Sequence, residues 1–473
     1  MMNQFSNALT VARKEFRTSL RDRVFLLLAL LILCLTIAAF LTGMQRHRDL
    51  RVKKEKAAKM FREEWEHQHA NPHSAAHFGT YLFKPDSYLS IYDNGLTNFL
   101  GNYYRVEAHL QHDVNQSVAE DTDSELRFGE LSVAMVFQLL VPLLILFVAF
   151  NTLSRERESH TLRMLLVQGV KPASIVWGKI GGVYLLVLAI VLPVMLLMFL
   201  PVAFGGQWVM TGRYLLFALS YLGYFLIFTV LFVLVSALVK SSGTSMVTGL
   251  AIWLLFCVLM PRLSIRIIDT AHPLPSRYEL NLAMSQANSK GMDKDGNRSE
   301  RYARYLAETL KKYGVDSVKQ LPVNFDGLSM QLGEDYNARV YERYAGDVEK
   351  TIRQQQRDLG LAGLLNPYIS QQQVSMGLAG TDYGHHLAFH HQAKNYRDEF
   401  VRTLNMELAN SGSAYLTYNY QVGADFFSKM ADFDYRSPDT ADAVKTHAVS
   451  WLALLLWIVL LCVSVPIISN RLT

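Results

Sequence analysis

Six stretches of this chain contain no Asp, Glu, Lys, Arg or His: 24–42, 131–150, 180–204, 214–239, 246–260 and 451–468. Most are long enough to cross a bilayer, and the fifth reaches that length if extended back to Ser242. This restricts the fold severely, because a lipid-exposed backbone must satisfy its own hydrogen bonds and so forms helices or closed barrels. Uninterrupted apolar runs of this length specify helices. The expected fold class is therefore an all-α polytopic membrane protein with six transmembrane helices and two large polar insertions, mainly helical. The 51% hydrophobic content of the 473 residues is an average over two populations, uncharged runs and long polar stretches. A net charge of +5 is too small to imply a nucleic-acid partner, and no RNA or DNA motif accompanies it. Cys34, Cys257 and Cys462 all lie in apolar runs and read as small hydrophobes, with no disulfide or metal role.

The polar segments divide the chain. Residues 1–23 form a basic amphipathic interfacial helix, with Phe5, Ala8, Leu9, Ala12, Phe16 and Leu20 on one face and Arg13, Lys14, Arg17 and Arg21 elsewhere. The leader is long and no small-residue cleavage site follows the first run, so a cleaved signal peptide is disfavoured. Span 1 (24–43) leads to a polar region (44–130) and span 2 (131–153), with Pro142 as an expected kink. A charged loop (154–179) precedes spans 3–5 (180–261). A second polar region (262–446) precedes span 6 and a short tail (447–473). Six crossings put both termini on one side. The short segments on that side carry the excess of Lys and Arg, which predicts that both termini are cytoplasmic. The basic run at 46–59 would then lie outside, as a long loop permits. Apolar stripes such as Tyr302, Tyr305, Leu306, Leu310 and Tyr313, and Tyr396, Phe400, Leu404 and Leu408, read as core faces of an outer helical domain.

The loop at 154–179 is unlike a bare connector. Arg155, Glu156, Arg157 and Glu158 are consecutive, Leu162, Leu165 and Leu166 form a stripe, and Gly169 with Pro172 marks a stop. A short amphipathic helix held at a membrane surface suits docking to a partner. Elsewhere, chemistry is sparse. Gly178-Lys179 is followed by Ile180 and lacks the upstream glycine of a phosphate-binding loop, and neither H-E-x-x-H nor G-x-S-x-G occurs. Uncharged spans argue against ion-coupled transport, so energy is expected from outside the chain. His385, His386, His390 and His391 cluster, and His386 and His390, four apart, are weak candidates for a shared zinc or copper ion. A solvated helix face is the preferred reading there, and no metal site is assigned.

Two segments resemble the type-2 ABC transporter permeases of the exporter class. ARKEFRTSLRDRVFL (12–26) looks like that family's interfacial helix, with Arg13, Lys14, Phe16, Arg17 and Arg21 in it. SRERESHTLRMLLVQGVKPASIVWGK is similar to the pattern E-R-E-x-G-T-L-x-x-L-L followed by G-K. Glu156, Arg157, Glu158, Thr161, Leu162, Leu165, Leu166, Gly178 and Lys179 match, and His160 stands where the family usually has Gly. Residues 101–111 and 364–400 look like a subfamily with large extracytoplasmic loops after the first and fifth spans. The resemblance implies a permease subunit in the cytoplasmic (inner) membrane of a bacterium, paired with a second copy or a paralogue. A separate ATP-binding cassette subunit would use ATP and Mg, and this chain would bind no cofactor. The loop would be the coupling helix, with Arg155 and Lys171 beside the matched residues and 171–179 as a hinge. The apolar spans favour a hydrophobic or amphipathic cargo. The alternative is a membrane-anchored extracytoplasmic binding or assembly protein that has no ATPase.

Overall fold

The computed structural model describes residues 2–111, 131–204, 208–412 and 417–472. It is helical almost throughout, and six helices are long and apolar enough to cross a membrane. Helix α1 (Met2–Ser19) is followed by α2 (Arg23–Glu66), started by Asp22, whose carboxylate accepts from the Val24 and Phe25 amides. At 1.5 Å per residue, α2 is about 66 Å long, roughly twice the hydrocarbon thickness. The basic residues after span 1 therefore ride on the same helix as the span itself. With six crossings, both termini lie at one end of the bundle, here called the near end, and α2 projects from the far end.

At the far end follow α3 (Pro72–Phe78) and the antiparallel strands β1 (Thr80–Phe83) and β2 (Tyr103–Val106), registered Thr80 to Val106. This hairpin was not legible as strands in the sequence. Span 2 comprises a helical turn at Val133–Met135, a π-helical turn at Val136–Leu140 and α4 (Val141–Ala149). Pro142 has no N–H, which frees the Gln138 carbonyl. The Tyr224 hydroxyl donates to that carbonyl at 2.8 Å, so the expected kink takes the form of a π turn with its loose acceptor satisfied. The near-end loop holds α5 (Ser154–Glu158) and α6 (Thr161–Val167). Spans 3 and 4 are α7 (Pro172–Phe204) and α8 (Thr211–Leu238). Span 5 is α9 (Ser242–Leu254), a second π turn at Leu255–Leu259 ahead of Pro261, and α10 (Met260–Ala271). It is much longer than the apolar run at 246–260.

The second polar region contains α11 (Arg277–Lys290), α12 (Arg298–Tyr313), α13 (Phe325–Ala362), α14 (Pro367–Ala379) and α15 (Tyr383–Asn410), before α16 (Thr440–Thr446) and α17 (Ala448–Ser469), the sixth span. The two polar regions form one layer. Trp65 at the tip of α2 packs on Phe400 of α15 and on Phe427, with ring centroids 4.6 and 5.1 Å away, inside a core shared with Leu82, Tyr104 and Leu404. Phe400, Leu404 and Leu408 are buried as expected. The α12 stripe is not a core face: Tyr302 and Tyr313 are exposed and Tyr305, Leu306 and Leu310 only half-buried.

One element departs from the expected division into outer domain and spans. Helix α14 lies inside the 262–446 region, yet Val374, Leu378 and Ala379 belong to the same core as the spans. Its polar residues pair with span residues. Gln371 donates to Ser220 at 3.0 Å, the Ser375 and Tyr221 hydroxyls meet at 2.9 Å, and Ser450 donates to Gln373 at 2.9 Å. Ser220 lies nine residues into α8, roughly 14 Å from its far end. Polar backbone and side chains are tolerated at such depth because protein surrounds them. Below α14 the core is closed by rings along α8, where Phe217, Tyr221, Tyr224, Phe225, Phe228 and Phe232 are fully buried.

Candidate functional site

The near-end loop is an elbow of two short helices, joined at one left-handed residue and closed by another. Helix α5 ends at His160, which adopts φ 60° and ψ 4°. This is the position where the resembled pattern has glycine, and the conformation is the one glycine adopts without cost. Helix α6 ends at Gly169 (φ +81°), where the Val170 amide reaches back to the Leu165 carbonyl at 3.2 Å. Pro172 then opens α7.

The consecutive charges point in different directions. Arg157 donates to the Ala237 carbonyl at 2.7 Å and to the Val239 carbonyl, satisfying the open C-terminal end of α8. Glu158 accepts from the Ser242 amide at 2.8 Å and the Ser242 hydroxyl at 2.7 Å, at the first residue of α9. The pair therefore clasps the turn between spans 4 and 5. Ser236 strengthens the clasp: its hydroxyl accepts from the Leu153 and Ser154 amides, each at 3.1 Å, and donates to the Phe150 carbonyl at 2.8 Å. Glu156 turns the other way, to Lys179 on α7, with Oε1 2.7 Å from Nζ. Lys179 is only 3% exposed and holds Glu15 of α1 at 2.6 Å, while the exposed Lys14 reaches Glu156 at 3.4 Å. A cavity of about 580 Å³ opens beside this ion pair, lined by Lys14, Glu15, Asp22, Asn151, Arg155 and Lys179 among others.

Helix α1 is seated directly on α7. A Cβ at Gly178 would lie 2.6 Å from Val11 Cβ and 2.7 Å from the Ala8 carbonyl oxygen, and one at Gly182 would lie 2.6 Å from Glu15 Cβ. These glycines let the two backbones approach, as small residues do in helix pairs. The expected single apolar face of α1 is thus divided. Ala8 and Ala12 face α7, Phe5, Leu9 and Leu20 stay exposed, Phe16 is half-buried, and Arg13, Arg17 and Arg21 are exposed.

The Leu162, Leu165 and Leu166 stripe, expected to enter a partner's groove, turns toward the protein itself. Leu162 is 3% exposed and the other two are half-buried against the span core. The outward side of α6 consists of Arg163, Met164 (61% exposed), Val167 (82% exposed) and Gln168. Thr161 bonds the Ser159 hydroxyl at 2.8 Å, and Arg155 and Lys171 are exposed. Sequence reading missed this outward set, as well as Ser236, Ser242 and Glu15. The signal for Glu15 was available, since it is the one acid in α1.

The His385–His391 segment is dispersed by its surroundings. His385 lies 2.5 Å from Asp382 and 3.0 Å from Arg213, and His447 lies 2.7 Å from the same Asp382. Burial opposes the Asp382 charge, but hydrogen bonds from His385 and His447 hold its carboxyl well below the usual carboxylate range. His390 meets the Tyr341 hydroxyl at 3.1 Å and His391 meets Glu349 at 2.7 Å. Burial, with Lys84 and His390 nearby, pushes His386 down to about 3. His386 and His390, the weak metal candidates, are not joined by a third ligand among the described residues.

The architecture is that of a multi-pass helical membrane protein, with six helices long and apolar enough to cross a bilayer and a basic helix packed on the third. The family profile described as ABC-2 family transporter protein matches residues 9–288, more than half of the chain, and the chain belongs to that family. Residues 281–436 match a domain of unknown function, DUF3526. No curated protein matches the chain.

Proposed function

We propose that this chain is the membrane-spanning subunit of an ATP-driven exporter, with its near end in the cytoplasm of a bacterium and docked there on a separate ATP-binding cassette subunit. The observation that carries this reading is the construction of the elbow. Arg157, Glu158 and Glu156 tie it to α8, α9, α7 and α1, while Met164 and Val167 stand unburied on its outer side. A rigid lever with an apolar tip suits force transfer. Met164 and Val167 would enter a groove of the partner, and Arg155, Arg163 and Lys171 would meet its acidic groups. Displacement of the tip would pass through Lys179 into α7 and α1.

The cargo pathway is assigned to the junction with a second copy or a paralogue, because the rings along α8 fill the centre of the single chain. Val247, Leu250, Leu254 and Leu259 on span 5 are exposed and offer an apolar face for that copy or for lipid. Those surfaces favour a hydrophobic or amphipathic cargo. The test is Met164→Asp with Val167→Asp. The double variant should insert and fold as wild type yet fail to co-purify with a P-loop subunit. Normal co-purification and ATPase stimulation would remove this face from the interface.

A further inference from the structure

Outside the near-end elbow, one cluster at the far end has the geometry of a metal site. Among the described residues, His73, His77 and His109 make up the one group of three His, Cys, Asp or Glu side chains whose ligand atoms all lie within 4.8 Å of one another. His73 and His77 are one helical turn apart on α3, and their Nε2 atoms are 3.2 Å apart. Two nitrogens bound at about 2.0–2.1 Å to one tetrahedral ion sit roughly 3.3 Å apart. The third ring closes the triangle, with centroids 5.5 Å from His73 and 4.9 Å from His77.

The third ring is held by more than chance packing. His109 adopts φ 66°, a conformation uncommon for a residue with a side chain. Glu334 of α13 enforces it, accepting the His109 amide at 2.6 Å and its Nδ1 at 3.0 Å. Glu334 is itself 3% exposed and anchored by Arg397 at 2.5 Å. A carboxylate on Nδ1 fixes the tautomer that leaves Nε2 with its lone pair, as in the carboxylate–histidine pairs behind metal ligands.

We infer that His73, His77 and His109 bind one divalent ion of the zinc class at the far end, tying α3, the segment after β2 and α13 together. A structural clasp of this kind suits a layer assembled from two distant parts of the chain. It was not legible in the sequence, where 31 residues separate His77 from His109.

The full chain, purified in detergent through an affinity tag without histidine, stripped with chelator and dialysed against Zn²⁺, should retain about one ion per chain. Co²⁺ in its place should give the intense visible bands of a tetrahedral site. His77→Gln and His109→Gln, both at exposed positions, should weaken retention at least about tenfold. His77→Gln should leave the unfolding temperature of the metal-free protein unchanged, and His391→Gln should retain zinc as the wild type does. No retained zinc in the wild type, or equal retention in His77→Gln, would overturn the site and leave a His73–His77 hydrogen bond in its place.

Discussion

Lys179 carries the most consequence of any single residue at the near end. It is buried with two carboxylates, Glu15 and Glu156, and joins α1, α5 and α7. Removing one partner of a buried ion pair is costly, on the order of 3–5 kcal/mol, because the remaining charge is left without compensation. Lys179→Met should therefore lower the unfolding temperature markedly and abolish transport. Glu15→Gln, which leaves Glu156 in place, should cost less. Equal, small effects would show that the cluster is solvated. His160 offers the opposite case. Its left-handed backbone costs a residue with a side chain roughly 1 kcal/mol, so His160→Gly should stabilise the chain by about that amount in thermal unfolding. A loss of stability would mean that the imidazole makes a contact worth more than the strain.

Among elements, the decisive contact is α1 on α7. Gly178 and Gly182 set the spacing, so Gly178→Val should force the helices apart. Amide exchange in α1 should accelerate while the spans stay protected, and coupling should fail. Unchanged protection of α1 would place its anchoring elsewhere. The spans themselves were legible because the bilayer demands uncharged runs, and a run of that kind has few alternatives. The elbow was legible as a helix with a stop, through Gly169 and Pro172. Its orientation was not, because Leu162, Leu165 and Leu166 read equally well as a face for a partner or for the protein's own core. Three-dimensional neighbours decide that, and Ser236 and Ser242, which fix α5, are unremarkable in sequence. Helix α14 escaped for a related reason. Its Gln371, Gln373 and Ser375 look like surface residues until Ser220, Ser450 and Tyr221 are placed beside them.

Across the whole molecule, the far-end layer and the bundle meet at Asp93. It sits after β1, buried, and accepts from the Gly95 amide at 2.9 Å and from the Ser375 hydroxyl of α14. Burial pushes its carboxyl from 3.8 up to about 6. A carboxyl whose pKa is raised on folding stabilises the fold fully below the unfolded value, and that contribution is lost as pH rises through the folded one. Stability should therefore fall between about pH 4 and pH 6 by up to roughly 3 kcal/mol from this group. Asp93→Asn should remove that dependence, measured as unfolding temperature against pH in wild type and variant. Parallel profiles would show that Asp93 stays charged and compensated.

The same joint connects the far layer to the spans that the proposed near-end contact would move. A photo-crosslinking residue at Val167, in native membranes, reports on that contact directly. The elbow as a docking lever predicts a cross-linked species containing a P-loop ATPase, lost in Met164→Asp. Cross-links to lipid alone, with the ATPase still co-extracted and active, would contradict it.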